Sequence, residues 1–330
     1  MTHTRRLDPD DHDTTLAAAV RRTLGEISWS QARKLCRSGR VSLDGKPAID
    51  PAARVRSGTQ LEIDPEGRGR VDRGTLPPEA ILHVDRDIVV VDKPAGLLSV
   101  PFSEDDRDTL LHRARATLRR IEGRAVAPLR VVQRLDKDTS GVLVFARTRG
   151  AERALQQQLR RHDVDREYLA LALGRVEAAR HDTHLFRRRS DGMRASWRGP
   201  ARPPEGAKRA ITDVEPLEML TVRPPISDGG ELLVVSLVSC RLGTGRQHQI
   251  RIHLSESGHP LVGEHVYVRG YAGPFVRGYR PKQGRPMLHA RRLGFVHPST
   301  DRTMTFERDP PDDFRSLLEQ LRAASQSTPA

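Results

Sequence analysis

Apolar residues recur at helical spacing near the start of the chain and are followed by short strand-like runs. Four of them occupy one face of a first predicted helix: Leu16, Ala19, Val20 and Leu24. Ser28 is placed to cap a second helix, and Gly39 is placed to end it. The runs at 41–43 and 60–63 complete a pattern of two helices and a hairpin. We therefore predict a small α/β domain over residues 14–63.

The segments on either side of these elements lack apolar periodicity. Residues 1–13 are polar and acidic, and we predict that they are disordered. Residues 64–78 are rich in Gly, Pro and Arg, which is typical of a linker. We predict that a larger domain extends over residues 79–322 and that residues 323–330 form a disordered tail.

Strand-like and helical patterns alternate irregularly in the larger domain. The strand-like runs are 81–84, 88–91, 142–146, 167–174, 232–240 and 293–296. Helical patterns occur at 151–159 and 246–254, and a terminal helix is predicted from Pro311. This order predicts an α+β fold built on a mixed, largely antiparallel sheet.

The net charge of +13 favours an anionic partner. No apolar run reaches the length of about 20 residues that a membrane span needs, so nucleic acid is the expected partner rather than a membrane. Aromatic residues make up only 4% of the chain, which predicts electrostatic and shape-based contacts rather than a stacking surface. The chain has two cysteines, far apart in sequence, which excludes a disulfide framework or a cysteine zinc site and favours the cytoplasm.

A charged, turn-rich insert at residues 133–141 separates two apolar runs. A scaffold commonly displays a reactive side chain in such an insert. It reads Gln-Arg-Leu-Asp-Lys-Asp-Thr-Ser-Gly and contains Asp136. The insert resembles the active-site motif of the RluA-type pseudouridine synthases, His-Arg-Leu-Asp-x-x-Thr-Ser-Gly. Gln133 departs from that pattern, and glutamine retains hydrogen-bonding capacity.

Three further segments carry the same resemblance in the family's order. Residues 92–96 resemble Asn/Asp-Lys-Pro-x-Gly, residues 166–170 resemble Lys-x-Tyr-x-Ala, and residues 245–254 resemble Gly-Arg-x-His-Gln-Ile-Arg-x-His-Leu. Glu264 stands where the related Gly-Asp-x-x-Tyr pattern has Asp. The resemblance implies a curved mixed sheet with a central catalytic cleft. The two short helices with a basic face and the hairpin over 14–63 resemble the S4 RNA-binding domain, which often precedes the catalytic domain in this family.

The resemblance also implies roles for individual residues. Asp136 would be the catalytic carboxylate, with Arg251 as its buried partner through charge pairing and a forked hydrogen bond. Tyr168 would lie against the uracil face and assist proton handling, and Leu288 would line the other face of the base pocket. Arg134 would enter the RNA and hold the target nucleotide flipped out. Six more basic residues are predicted RNA contacts: Lys93, Arg246, Arg33, Lys34, Arg37 and Arg40.

The implied reaction isomerises uridine to pseudouridine within one nucleotide, so we expect neither a cofactor nor a metal. A carboxylate could serve it by covalent attack or by moving a proton at the sugar, and the sequence leaves both routes open. His248 and His253 do not form a metal motif, because a spacing of five places them on different faces of a helix.

Two other functions compete with the isomerase. The chain could be an RNA-binding or assembly factor that keeps the fold without the chemistry. A glycosidase-like hydrolase would need a second catalytic carboxylate, and Asp138 lies only two residues beyond Asp136 on the same turn. We expect structured RNA as the substrate, with large-subunit ribosomal RNA first and transfer RNA second, and a monomeric protein.

Overall fold

A computed structural model describes most of the chain. The described residues are 2–25, 27–66, 74–103, 106, 108–187, 193–223, 226–227, 232–280 and 283–326. They divide into two compact units, one of Met1–Pro77 with Leu98–Val126 and one of Pro78–Leu97 with Ala127–Ala330. Residues 67–73 of the predicted linker and 327–330 of the predicted tail lie outside the described residues.

The first unit contains a four-stranded sheet and three helices. The elements are β1 His3–Arg6, α1 Leu16–Leu24, α2 Trp29–Arg37, β2 Val41–Leu43, β3 Lys46–Pro47, β4 Gln60–Ile63 and α3 Leu110–Glu122. The sheet order is β1-β4-β2-β3. Ser28 caps α2, because its side chain accepts the N–H of Gln31 while the Gln31 side chain accepts the N–H of Ser28.

The N-terminal segment corrects the prediction of disorder over 1–13. Strand β1 pairs antiparallel with β4, and a short 3-10 turn follows at Pro9–Asp11. The buried carboxylate of Asp11 pairs with Arg5 at 2.7 Å and with Arg22 at 2.8 Å. The polar composition of the segment does not reveal this order, because β4 and Arg22, which hold the segment, lie further along the chain.

Segment 98–126 belongs to the first unit, whereas the sequence suggests one continuous domain over 79–322. Helix α3 is tied to the end of the preceding segment by Thr117. Its hydroxyl accepts the N–H of Leu76 at 2.8 Å and donates to the carbonyl of Leu76 at 3.1 Å. These hydrogen bonds join two segments of the same unit that are 41 residues apart, and no sequence pattern predicts them.

The second unit is built on one large mixed sheet. Its strands are β5 Ile81–Val84, β6 Ile88–Lys93, β7 Arg130–Val131, β8 Ser140–Ala146, β9 Asp165–Leu173, β10 Ala179–Arg187, β11 Arg194–Trp197, β12 Lys208–Val222, β13 Leu233–Leu242, β14 Leu288–Val296 and β15 Thr303–Glu307. Its helices are α4 Arg149–Arg161, α5 Gln249–Glu256 and α6 Asp312–Gln326. The main order is β11-β10-β12-β13-β9-β14-β8-β6-β5, with β14 and β8 parallel and the other pairs antiparallel. This architecture confirms the predicted α+β class.

Strands β8 and β9 are interior strands of the sheet, and nearly every residue of both is buried. One face of the sheet packs against α6 through Phe314, Leu317 and Leu321. Helix α6 begins next to Pro311, as predicted, and continues four residues past the predicted domain end at 322. None of the helices in the described ranges is long and apolar enough to cross a membrane.

Candidate active site

The loop at residues 132–139, named here the Asp136 loop, joins β7 to β8. Strand β8 lies beside β14, with Ser140 opposite His289, and β14 lies beside β9, with Ala290 opposite Tyr168. Three adjacent strands therefore bring together the Asp136 loop, the start of β14 at Leu288 and the middle of β9.

Gly141 permits the close approach of β8 to β14. Its φ of 114° lies in the region that favours glycine. A Cβ at this position would lie 2.2 Å from the carbonyl oxygen of Ala290. The glycine that ends the Asp136 motif is therefore required by backbone packing at the site.

The side chain of Lys93 holds the backbone of the Asp136 loop. Its side chain is completely buried, and Nζ donates to the carbonyl oxygens of Pro94 at 3.0 Å, Lys137 at 2.8 Å and Thr139 at 2.7 Å. Burial lowers the pKa of Lys93 to about 7, against the opposing charges of Asp138 and Asp136. The structure corrects the predicted phosphate contact, because all three donors of the ammonium are used inside the protein.

Arg285 is a second anchor of this loop, and sequence reasoning missed it. One terminal nitrogen donates to the carbonyl of Asp138 at 3.1 Å, while Nε and the other terminal nitrogen bind Asp313 at 2.6 and 2.9 Å. Lys93 and Arg285 together hold three successive carbonyls of the Asp136 loop. Arg285 belongs to no recognised motif, so only the fold reveals its role.

The side chain of Asp136 is 26% exposed. Neither of its carboxylate oxygens accepts a hydrogen bond from a described residue, and the one basic nitrogen within 4.0 Å there is His248 Nε2, at 3.9 Å. Arg251 does not form the predicted fork with Asp136. The acceptor positions of this carboxylate are therefore free to meet a substrate.

Arg251 forms its fork with Glu264 instead. Nε donates to one Glu264 oxygen at 2.7 Å and a terminal nitrogen donates to the other at 2.6 Å. Burial opposes the charge, but the hydrogen bonds and charge of Glu264 raise the pKa of Arg251 overall. Gly263, with φ of 78°, sets the turn that presents Glu264, and a Cβ there would lie 2.0 Å from the carbonyl of Arg285.

His248 contacts both Asp136 and the turn that carries Glu264. Its Nδ1 is 2.8 Å from the hydroxyl of Tyr267, and its Nε2 faces Asp136. Burial lowers the pKa of His248, and the charge of Asp136 opposes that shift. Among the described residues, no group of three or more His, Cys, Asp or Glu side chains is arranged to hold a metal ion.

Tyr168 is buried, and its hydroxyl has no hydrogen-bond partner in the described part of the chain. Burial raises the pKa of Tyr168 to about 12; the nearby charge of Arg166 opposes this, and that of Asp136 adds to it. The phenol is therefore protonated at neutral pH and can donate. Leu288, which is also buried, lies one strand away and pairs with Ala170.

The predicted RNA contacts differ in accessibility. Arg134 is exposed and makes no ion pair with a described residue. Arg246 is partly buried, and its Nε donates to the carbonyl of Arg209 at 3.0 Å. Four basic residues lie in α2 of the first unit or just after it: Arg33, Lys34, Arg37 and Arg40. The first three are exposed, and Arg40 is partly buried.

Comparison with known proteins shows which families this chain is similar to. A family model described as RNA pseudouridylate synthase matches residues 87–256, slightly more than half of the chain, and an S4 domain model matches residues 15–61. A Zymomonas mobilis protein named ribosomal large subunit pseudouridine synthase D is 32% identical, and the match covers 96% of this chain and 95% of the relative. A Neisseria meningitidis protein of the same name is 33% identical over 93% of this chain and 78% of its own.

Solved structures agree with these matches. The structure titled human RNA pseudouridylate synthase domain containing 1 superposes with a TM-score of 0.53 at 25% identity, over 76% of this chain and 95% of that chain. The structure titled human RNA pseudouridylate synthase domain containing 4 has a TM-score of 0.55 at 23% identity and shares the fold. The predicted family, S4 domain and fold class are confirmed. The chain belongs to the RNA pseudouridylate synthase family and is an isomerase that acts on RNA.

Proposed function

We propose that this protein isomerises specific uridines in large-subunit ribosomal RNA, with Asp136 as the catalytic carboxylate. The observation that carries the proposal is an accessible carboxylate that accepts no hydrogen bond from a described residue, on a loop whose backbone is held by the side chains of Lys93 and Arg285. The relatives named ribosomal large subunit pseudouridine synthase D support this choice of RNA.

The reaction breaks the bond from sugar C1′ to N1 of uracil and forms a bond from C1′ to C5. The proton on C5 is lost and N1 gains one, so atoms balance without a cofactor. Asp136 serves this exchange at the sugar, either by covalent attack or by moving a proton. Tyr168, a protonated phenol buried on β9, supports the uracil, and its O–H group can donate a hydrogen bond.

The remaining contacts concern RNA binding. Arg134 is exposed beside Asp136 and would enter the RNA to hold the flipped nucleotide, while Leu288 lines the base pocket. We further propose that residues 14–63 bind RNA through the basic face of α2 and that residues 79–322 carry catalysis. A monomer acting in the cytoplasm completes the proposal, with transfer RNA as the second candidate substrate.

The test is pseudouridine mapping, by carbodiimide adducts and reverse-transcription stops, on ribosomal and transfer RNA from cells that lack the protein. Complementation uses wild type, Asp136→Asn, and the matched control Asp138→Asn, which makes the same chemical change two residues away. We expect one or more large-subunit sites to disappear and to return with wild type and Asp138→Asn only.

Three outcomes would contradict parts of the proposal. A changed site confined to transfer RNA would move the substrate assignment to that RNA. Restoration by Asp136→Asn would remove this residue from the chemistry. No changed site in either RNA class would favour an RNA-binding or assembly role.

A further inference from the structure

Arg166 is a buried cation without an acidic partner. It lies on β9 two residues before Tyr168, so the two side chains share one face of the strand. Only 7% of the residue is exposed, and the one side-chain hydrogen bond that it makes to a described residue runs from a terminal nitrogen to the carbonyl of Leu242 at 3.3 Å. Its Nε is buried and has no hydrogen-bond partner in the part of the chain that the structure describes, where no carboxylate lies within 4.0 Å of the guanidinium either.

The alternation of side chains along a strand explains why the adjacent Glu167 does not pair with Arg166. Glu167 points to the opposite face, where its carboxylate lies 3.4 to 3.8 Å from three arginines: Arg291, Arg292 and Arg241. The carboxylate of Glu167 is therefore not available to Arg166, whose charge remains buried and unpaired among the described residues. An unpaired charge in such a place is costly, and the cost falls when an anion binds.

Arg246 adds a second cation to this face. It directly follows Gly245, whose backbone lies against the Arg166 guanidinium, and its charge adds to the larger effect of burial that lowers the pKa of Arg166. Arg246 uses only Nε, on the carbonyl of Arg209, and has no ion pair within the described ranges. Gly245 leaves room for the pair, because a Cβ there would lie 2.6 Å from a terminal nitrogen of Arg166.

A depression of about 390 Å³ also touches Arg166, but it does not suit an anion. Three carboxylate residues share its lining: Asp163, Asp165 and Asp213. An anion would therefore bind on the side of Gly245 and Arg246 rather than in this depression.

We propose that Arg166 and Arg246 bind one phosphodiester group of the RNA that flanks the target uridine. The inference rests on the proposed function and assigns the backbone group recognised at that same site. Two residues of a strand span about 7 Å, so the phosphate lies beside the nucleotide whose base Tyr168 supports. A guanidinium pair suits phosphate because it offers several charge-assisted hydrogen bonds.

The first measurement is RNA affinity as a function of salt, in an Asp136→Asn background that prevents turnover. The probe is a short RNA that contains the uridine identified by mapping. We expect Arg166→Met to weaken binding about tenfold and to reduce the slope of log affinity against log salt by about 0.7 to 1. Arg166→Lys keeps the charge and should retain most of both quantities.

Arg322→Met is the matched control. It removes the same charge from α6, where Arg322 pairs with Glu218. We expect the control to leave the salt slope unchanged. If Arg166→Met and Arg322→Met alter the slope equally, Arg166 contributes only general charge and the proposal fails.

A methylphosphonate scan locates the phosphate. Each linkage near the target uridine is replaced in turn by a neutral one, and binding is compared between the protein that retains Arg166 and the Arg166→Met variant. We expect one linkage at which the protein with the arginine loses affinity while the variant loses none. Additive losses at every linkage would overturn the proposal, and so would a uniform loss accompanied by a lower unfolding free energy.

Turnover separates this proposal from the proposed function. Release of tritium from RNA labelled at uracil C5 reports isomerisation directly. Arg166→Met should raise KM about tenfold while kcat changes little. An active wild type with unchanged KM in Arg166→Met would refute the phosphate site alone, whereas an inactive wild type would refute the proposed function.

Discussion

The Asp136 loop and the turn at Gly263–Tyr267 each present a carboxylate to the same region, but the two carboxylates are held in opposite ways. Glu264 has no exposed side-chain surface and accepts five hydrogen bonds, two from Arg251 and three from backbone N–H groups at 265–267. Asp136 is partly exposed and accepts none from the described residues, while its loop backbone is anchored by Lys93.

The difference separates a carboxylate that holds the structure from one that can act on a substrate. A buried carboxylate that accepts five hydrogen bonds is committed to the structure, and disturbing it leaves buried partners unpaired. A carboxylate fixed only through its backbone keeps its oxygens free for chemistry. Stability and activity should therefore respond to different substitutions in these two regions.

The largest effect should follow Asp136→Asn. We expect isomerisation to fall by about 10³-fold or more, equivalent to about 4 kcal/mol in the barrier. The free energy of unfolding should change by less than about 0.5 kcal/mol, because no described hydrogen bond to the side chain is lost. Tritium release and urea unfolding measure the two quantities, and a large loss of stability would contradict the comparison.

Glu264→Ala should give the next largest effect, on stability. Removing one partner of a buried ion pair leaves Arg251 uncompensated and costs about 3–5 kcal/mol in urea unfolding. The control is Glu218→Ala, which breaks a bidentate pair with Arg322 whose side chains are 44% and 33% exposed. That variant should cost about 1 kcal/mol or less, since exposed pairs contribute little. Equal costs would show that burial does not distinguish the pairs.

Lys93 gives a pH-dependent effect of intermediate size. Its folded-state pKa of about 7 lies below the ordinary value of 10.5, so the unfolded chain binds more protons between these values. The free energy of unfolding of the wild type should therefore increase as the pH rises across this window. Lys93 contributes at most about 1.4 kcal/mol per pH unit to that increase. Lys93→Met should lose this component in urea titrations at pH 7 to 10. If the free energies of unfolding of the wild type and Lys93→Met change in parallel with pH, the lowered pKa of Lys93 is contradicted.

Tyr267→Phe should have the smallest effect. It removes the hydroxyl that lies 2.8 Å from His248 Nδ1 and nothing else. We expect a loss of about 0.5–1.5 kcal/mol in stability, the net worth of one hydrogen bond, and a less than tenfold change in tritium release. A loss of activity as large as that of Asp136→Asn would place this tyrosine in the chemistry.

The sequence determined the elements and the chemical groups. Periodicity located α2 with its cap at Ser28 and the start of α6, because both depend on local spacing and local hydrogen bonds. The motif around Asp136 identified the family, since residues that act together in one loop are adjacent in the chain. It also placed Gly141 where the backbone needs it.

Only the tertiary structure decided which charges meet. Arg251 is assigned to Asp136 by resemblance, yet its fork binds Glu264, because the turn at Gly263 places that carboxylate against it. Lys93 looks like a phosphate ligand until burial and three carbonyls account for it. Arg285 supports the Asp136 loop across 147 residues of sequence and belongs to no motif. Ion pairs and hydrogen bonds act through space over a few ångströms, so their partners are set by the packing of distant segments and not by neighbours in the chain.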